Sequence, residues 1–153
     1  MTKIFLKSGR EKSVLRHHPW IFSGAVSKVE GVPQAGETVE LFTNQGAFLA
    51  RAAYNPNSNI VCRIWTWDEN EIVNPVFFLK RLSAAINSRN SYSELIKSNA
   101  MRLVHGESDG IPGLILDKYG DVLSVQFLTA GVEYWKAEIT EATISRITTK
   151  LLS

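Results

Sequence analysis

The sequence predicts a mixed β and α+β fold, in which a small β-barrel precedes a small, incomplete α/β part built as strand–helix–strand. Short segments of alternating hydrophobicity, separated by turn residues, fill the chain up to Trp67, as strands do. A polar break follows at Asp68–Glu71, and beyond it apolar residues recur at helical spacing. We therefore expect two domains, residues 1–70 and 71–153, in this chain of 153 residues.

Five strands are expected in the first domain. The first strand is expected at the start of the chain, where apolar and polar residues alternate and place Ile4 and Leu6 on one face. A helical turn is expected within Arg10–Arg16. It must stop before Pro19, because a residue preceding proline avoids the α region. The other four strands are expected at Ile21–Val29, Glu37–Phe42, Ala47–Ala53 and Ile60–Trp67. Five strands in so short a stretch indicate a closed or nearly closed barrel.

The second domain is predicted to begin with a helix over Pro75–Ser91, capped by Asn74. A strand is expected at Met101–His105 and a glycine-rich loop at Gly106–Gly113. A hairpin is expected at Leu114–Leu128, followed by a last amphipathic helix at Val132–Leu151 with Ile144 on its apolar face. The helix has no capping glycine, which indicates a domain truncated before its end, and we expect part of an apolar face to stay uncovered.

Composition excludes several classes of protein. Hydrophobic residues at 44% and charged residues at 21% are typical of a globular chain, and a single cysteine excludes an internal disulfide framework. No apolar run approaches the roughly 20 residues that span a bilayer, and the charged N-terminus lacks a signal-peptide core. We expect a cytoplasmic protein with no membrane partner.

The N-terminal segment concentrates positive charge. Residues 1–20 contain five lysines and arginines against the single acid Glu11, whereas the whole chain carries only +2. Such side chains neutralise phosphates, although basic residues on a surface are often simply solvated. We predict RNA-phosphate contacts by Lys7, Gly9, Arg10, Lys12, Arg16 and His18, with Gly9 permitting close backbone approach. Trp20 is expected in the core rather than as a stacking platform.

Other chemical motifs are weak. Gly106–Gly110 matches G-x-S-x-G, but no helix follows it and all three histidines precede or adjoin it, so a polar turn is expected. Cys62 alternates with isoleucines and is expected to be buried and unreactive. Adjacent His17 and His18 lack a partner cluster for a metal. No glycine-rich nucleotide cradle is present, so we expect no catalytic, metal-binding or cofactor-binding residue.

Three stretches resemble one family. They are Gly9–Val26, which contains His-Pro-Trp-Ile-Phe-Ser-Gly, then Gly36–Pro56, and then Arg102–Asp121, which contains Gly-Glu-Ser-Asp-Gly-Ile-Pro-Gly. In this collinear order they resemble the N-terminal part of the PUA-containing class I S-adenosylmethionine-dependent rRNA methyltransferases. These are bacterial large-subunit rRNA cytosine-5 methyltransferases and their relatives. The resemblance implies a PUA-like RNA-binding barrel, then a central α/β domain, then a Rossmann-like catalytic domain.

The resemblance covers the first of those parts and most of the second. It implies an RNA-binding and linker portion that is inactive alone, with RNA, specifically large-subunit ribosomal RNA, as partner. S-adenosylmethionine belongs to the full-length family, and none of its catalytic or cofactor residues has a matching position here. A stand-alone RNA- or partner-binding module without catalytic activity and a hydrolase using Ser108 are the alternatives. The sequence leaves a homo-oligomer open.

Overall fold

A computed structural model describes residues 1–93 and 98–152. The chain divides into two compact units, Met1–Val73 and Asn74–Ser153, here called the N-terminal and C-terminal units. No helix in these described ranges is both long and apolar enough to cross a membrane.

The N-terminal unit is a curled six-stranded sheet with one short helix. Its elements are β1 (Lys3–Leu6), α1 (Glu11–Leu15), β2 (Trp20–Phe22), β3 (Val26–Glu30), β4 (Thr38–Phe42), β5 (Phe48–Tyr54) and β6 (Ile60–Thr66). The strand order is β2-β6-β5-β4-β1-β3. All neighbouring strands are antiparallel except β1 and β4, which run parallel.

Alternating side chains make the core of this unit. Ile4 and Leu6 on β1 and Val39 and Leu41 on β4 are fully buried, as the period of two predicts. Val14 of α1 joins the same cluster, so the helix is attached to the sheet by its one buried side chain. The other side chains of α1 are left at or near the surface.

The expected single strand over Ile21–Val29 is wrong. A 3-10 turn at Ser23–Ala25 separates β2 from β3, and these two strands form the opposite edges of the sheet. Because three residues reach only about 10 Å, the two edges must lie close together. Irregular registers between β1 and β3, β2 and β6, β4 and β5, and β5 and β6 provide the bending. The sheet is therefore curled nearly into a barrel.

The C-terminal unit combines helices with a three-stranded antiparallel sheet, ordered β7-β8-β9. Its elements are α2 (Pro75–Ser93), β7 (Ala100–His105), β8 (Leu114–Tyr119), β9 (Val122–Phe127), α3 (Ala130–Tyr134) and α4 (Lys136–Leu152). Asn74 caps α2, since its Oδ1 accepts the Phe77 N–H at 3.0 Å. The mixed β and α+β class expected from the sequence is confirmed.

The last amphipathic helix differs from the prediction. It is two helices, α3 and α4, separated at Trp135, whose ring lies 5.2 Å from that of Phe78. Val132 and Ile139 are buried as expected, but Ile144 is 59% exposed. It follows Ile139 by five positions in α4, which places the two side chains about 140° apart around the helix axis. The side chain of Leu151 lies outside the described residues.

Candidate nucleic-acid interface

The segment between β1 and β2 folds as a turn followed by α1. The Lys7 N–H donates to Ala25 O at 2.8 Å, and the Arg10 N–H donates to Lys7 O at 2.9 Å. Gly9 has φ +86°, in the left-handed region that favours glycine, and the space where a Cβ would stand is open. The backbone at Gly9 is therefore accessible to a ligand.

The helix ends in a Schellman motif. The His17 N–H donates to Val14 O and the His18 N–H to Ser13 O, both at 2.9 Å, and His17 lies at φ +61°. Glycine is the usual residue at this position, because a left-handed conformation costs a residue with a Cβ about 1–2 kcal/mol. His17 is the only residue other than glycine with positive φ in the described parts of the chain.

Five of the six predicted contact residues line one concave surface, the basic groove. It is open, has a volume of about 590 Å³, and is lined by Gly9, Arg10, Lys12, Ser13, Arg16, His17, His18 and Pro19. Lys7, the sixth predicted residue, is exposed on the same segment but does not line the groove. The lining residues all come from the stretch Gly9–Pro19, because α1 and its two flanking turns bring this stretch to one face.

The cations of this segment have no carboxylate partners. Within residues 1–93 and 98–152, no ion pair involves Lys7, Arg10, Lys12 or Arg16, and all four are exposed. Glu11, the acid of the segment, does not line the groove, and its Oε2 is buried without a hydrogen-bond partner among the described residues. The groove therefore presents positive charge that no acidic side chain lining it offsets.

Aromatic rings adjoin the groove. The His17 imidazole stacks on the Trp67 indole with centroids 4.7 Å apart and planes 14° from parallel. Trp67 Nε1 donates to Val14 O at 2.9 Å, which ties α1 to the end of β6. The sequence alone does not reveal this pair. The position of Trp67 in alternation with Val61, Arg63 and Trp65 was the available signal, but it does not show which ring lies against it.

Trp20 is neither fully buried nor free. It is half-buried, meets the ring of His18 edge-on at 5.9 Å, and lies 5.4 Å from the guanidinium carbon of Arg63, its register partner on β6. The backbone N–H of Trp20 also donates to His18 Nδ1 at 3.3 Å. The expectation of a core tryptophan therefore holds for only part of this side chain.

The serine motif lacks hydrolase geometry. Gly106–Asp109 forms a 3-10 turn, Ser108 is exposed, and no hydrogen bond joins it to a histidine in the described chain. Asp109 accepts bonds from Arg89 at 2.7 and 2.9 Å and from the His105 N–H at 2.7 Å. His105 itself is exposed at the end of β7, rather than packed in the core. The motif is thus a turn between two strands, held by α2.

The glycine-rich connection does not fit a nucleotide cofactor such as S-adenosylmethionine. A Cβ at Gly110 would collide with Arg81, and one at Gly113 with Thr129, so the chain's own side chains fill the space above these glycines. Cys62 is fully buried, and burial raises the pKa of its thiol to about 12. The part of the chain with described positions contains no cluster of three His, Cys, Asp or Glu suited to a metal ion.

Comparison with known proteins identifies relatives of both units. Residues 4–67 match the family model of the PUA-like domain. Ribosomal RNA large subunit methyltransferase I from Yersinia pseudotuberculosis and that from Yersinia pestis are each 45% identical over 140 residues, which is 92% of this chain. The chain spans only 35% of the length of these relatives.

Two solved structures share the fold at lower identity. A protein assigned as a SAM-dependent methyltransferase from Streptococcus mutans superposes with a TM-score of 0.81, and SMU.776, assigned as a methyltransferase and complexed with SAH, with 0.83. Each is 20% identical, and the match covers 97% of this chain and 38% of the other. This likeness supports the arrangement of strands and helices described above.

Proposed function

Because this chain is a relative of the ribosomal RNA large subunit methyltransferases I and carries their PUA-like domain, we propose that it binds RNA through the basic groove. It acts as the RNA-binding and linker portion of an rRNA cytosine-5 methyltransferase that uses S-adenosylmethionine. The partner is large-subunit ribosomal RNA, which places the protein in the cytoplasm. In this proposal the chain's own role is binding, and methyl transfer is assigned to a part of the enzyme beyond the 35% of the relatives' length that matches here.

One observation supports this proposal most strongly: exposed cations without carboxylate partners converge on one groove. Arg10, Lys12 and Arg16 line it, and the exposed Lys7 belongs to the same segment. Each phosphate that such a cation neutralises releases counterions from the RNA, and this release favours binding. Open backbone at Gly9 lets a phosphate approach the chain closely.

The test is the salt dependence of RNA binding. Four phosphate contacts predict a slope of log K against log [salt] of about −2.8 for single-stranded RNA, at roughly −0.7 per contact. Arg10→Ala/Arg16→Ala is expected to weaken binding for every sequence and to reduce the slope to about −1.4. Fluorescence anisotropy with a labelled strand at several salt concentrations measures both quantities.

A matched control keeps the charge change constant. Lys3→Ala/Lys28→Ala removes two positive charges from strands of the same unit that do not line the groove. Its slope should stay near that of the unmodified chain. Equal slopes for the groove variant and the unmodified chain would refute the assignment, and tighter binding to an acidic protein than to RNA would favour the partner-binding alternative.

A further inference from the structure

We propose that His17 is a stacking platform for one unpaired RNA base, so that the basic groove selects single-stranded RNA over duplex. The inference rests on the proposed function, because it assumes that RNA phosphates occupy the groove. It adds a binding residue outside the predicted set and names the class of RNA. Its basis is the conformation of His17, its stack on Trp67 and its position in the groove.

The backbone conformation of His17 indicates that its imidazole ring has a role in ligand binding. A Schellman motif needs its left-handed residue for the backbone alone, and glycine meets that need without strain. Here the position holds a histidine at φ +61°. Strained residues of this kind occur at ligand-binding sites when the surrounding structure holds them in place. The parallel stack on Trp67 is the contact that holds the imidazole.

Trp67 is the anchored ring on which His17 stacks. Its ring packs against the hydrophobic core of the N-terminal unit, and its Nε1–H is bonded to Val14 O. One face of the His17 imidazole lies against this anchored indole. His17 is nevertheless exposed and lines the groove, and no other ring or hydrogen-bonding partner of its side chain occurs in the described ranges. The second face of the imidazole is therefore open to the groove.

An unpaired nucleotide matches both features of this surface. Its base can stack on the open face of His17 and so extend the Trp67–His17 stack, while its phosphate contacts Arg10 or Arg16 in the same groove. Bases that are free of a duplex stack on histidine and other aromatic side chains, and the contact tolerates any base. Bases inside a duplex already stack on one another and cannot insert. The groove should therefore bind unpaired RNA in preference to duplex RNA.

The experiment separates stacking from phosphate binding. The full chain is titrated with a labelled single strand of about ten nucleotides, with the same strand carrying abasic residues, and with the corresponding duplex. His17→Asn keeps a residue that tolerates the left-handed conformation but removes the ring, and His17→Phe keeps an aromatic ring. Arg10→Ala/Arg16→Ala reports on the phosphate contacts alone.

The expected results are specific. His17→Asn lowers affinity for the normal strand at least about fivefold, leaves the salt slope unchanged, and has no effect on the abasic strand. His17→Phe restores most of the affinity, and the unmodified chain prefers the normal strand to both other ligands. Equal affinity of the unmodified chain for normal and abasic strands overturns the stacking, and this result does not depend on any variant folding.

Failure of the two proposals can be told apart. If Arg10→Ala/Arg16→Ala weakens binding while the His17 variants do not, phosphate binding stands and the stacking platform is refuted. If neither set of variants changes RNA affinity, the groove is not the RNA site and both proposals fall together.

Discussion

Arg51 holds together the end of the N-terminal unit, and its removal should destabilise that unit strongly. Its Nη1 donates to Glu69 O at 2.7 Å and to Glu71 O at 2.8 Å, while Nη2 donates to Glu40 Oε1 at 3.0 Å. Both side chains of the ion pair are largely buried, with 12% and 19% exposure for Arg51 and Glu40. The guanidinium thus fixes the polar segment that follows β6 onto the outer side of β5.

The magnitude follows from those bonds. Each hydrogen bond from a charged donor contributes about 1.5–3 kcal/mol, and three such bonds are lost in Arg51→Met, which keeps most of the apolar stem. Water can reach the carbonyls and the Glu40 carboxylate once the guanidinium is removed, which reduces the loss. We expect the free energy of unfolding to fall by about 2–4 kcal/mol. Glu40→Gln keeps an acceptor at the same place and should cost about 1 kcal/mol or less.

Guanidinium chloride titration followed by tryptophan fluorescence measures this effect. Trp135 is the only one of the chain's four tryptophans in the C-terminal unit, so a Trp135→Phe background leaves Trp20, Trp65 and Trp67 to report on the N-terminal unit. The midpoint should fall at an unchanged m-value. A loss below about 1 kcal/mol for Arg51→Met, or an equal loss for Glu40→Gln, would show that the bonds to the carbonyls contribute little.

Two further predictions concern titratable groups. Hydrogen bonds from Arg102 at 2.8 and 3.1 Å hold the pKa of Asp117 below its ordinary value. The native pKa therefore lies below the unfolded value of about 3.9, and the pair stabilises the fold above that pH and ceases to do so as pH falls through the native pKa. Asp117→Asn should be less stable than the unmodified chain near neutral pH, and the difference should disappear in strong acid; denaturation at a series of pH values checks this, and a constant difference contradicts it. The buried Cys62 thiol, with its pKa raised to about 12, should react with a thiol reagent only after unfolding, so rapid colour development with the native chain would disprove its burial.

Local patterns were enough to predict most of the individual elements. Alternation located β1 and β4 because their side chains face a core on one side and solvent on the other. The Asn74-Pro75 pair located the start of α2 because capping is a contact between residues three apart. Five of the six predicted groove residues meet for a similar reason, since a single short helix and its flanking turns suffice to bring them together.

Contacts between distant residues account for what the sequence did not show. Residues 21–29 are predicted as one strand, but the first part pairs with β6 and the second with β1, so the chain turns at Ser23–Ala25 between them. The helical spacing of apolar residues in the sequence also continues through Trp135. In the structure, however, α3 ends before this residue and α4 begins after it, at the point where the Trp135 ring packs against Phe78. The His17–Trp67 stack joins residues 50 positions apart, and neither residue type specifies the other.

The arginines of the basic groove differ from several other arginines of the chain in having no carboxylate partner among the described residues. Elsewhere the fold places arginines against carboxylates: Arg51 on Glu40, Arg89 on Asp109 and Arg102 on Asp117. Groove residues Arg10 and Arg16 receive no such partner among the described residues, and like charges on one short segment repel each other, which works against folding. A polyanion in the groove relieves that repulsion, so RNA binding should raise the unfolding temperature of the chain, and the increase should be smaller for Arg10→Ala/Arg16→Ala.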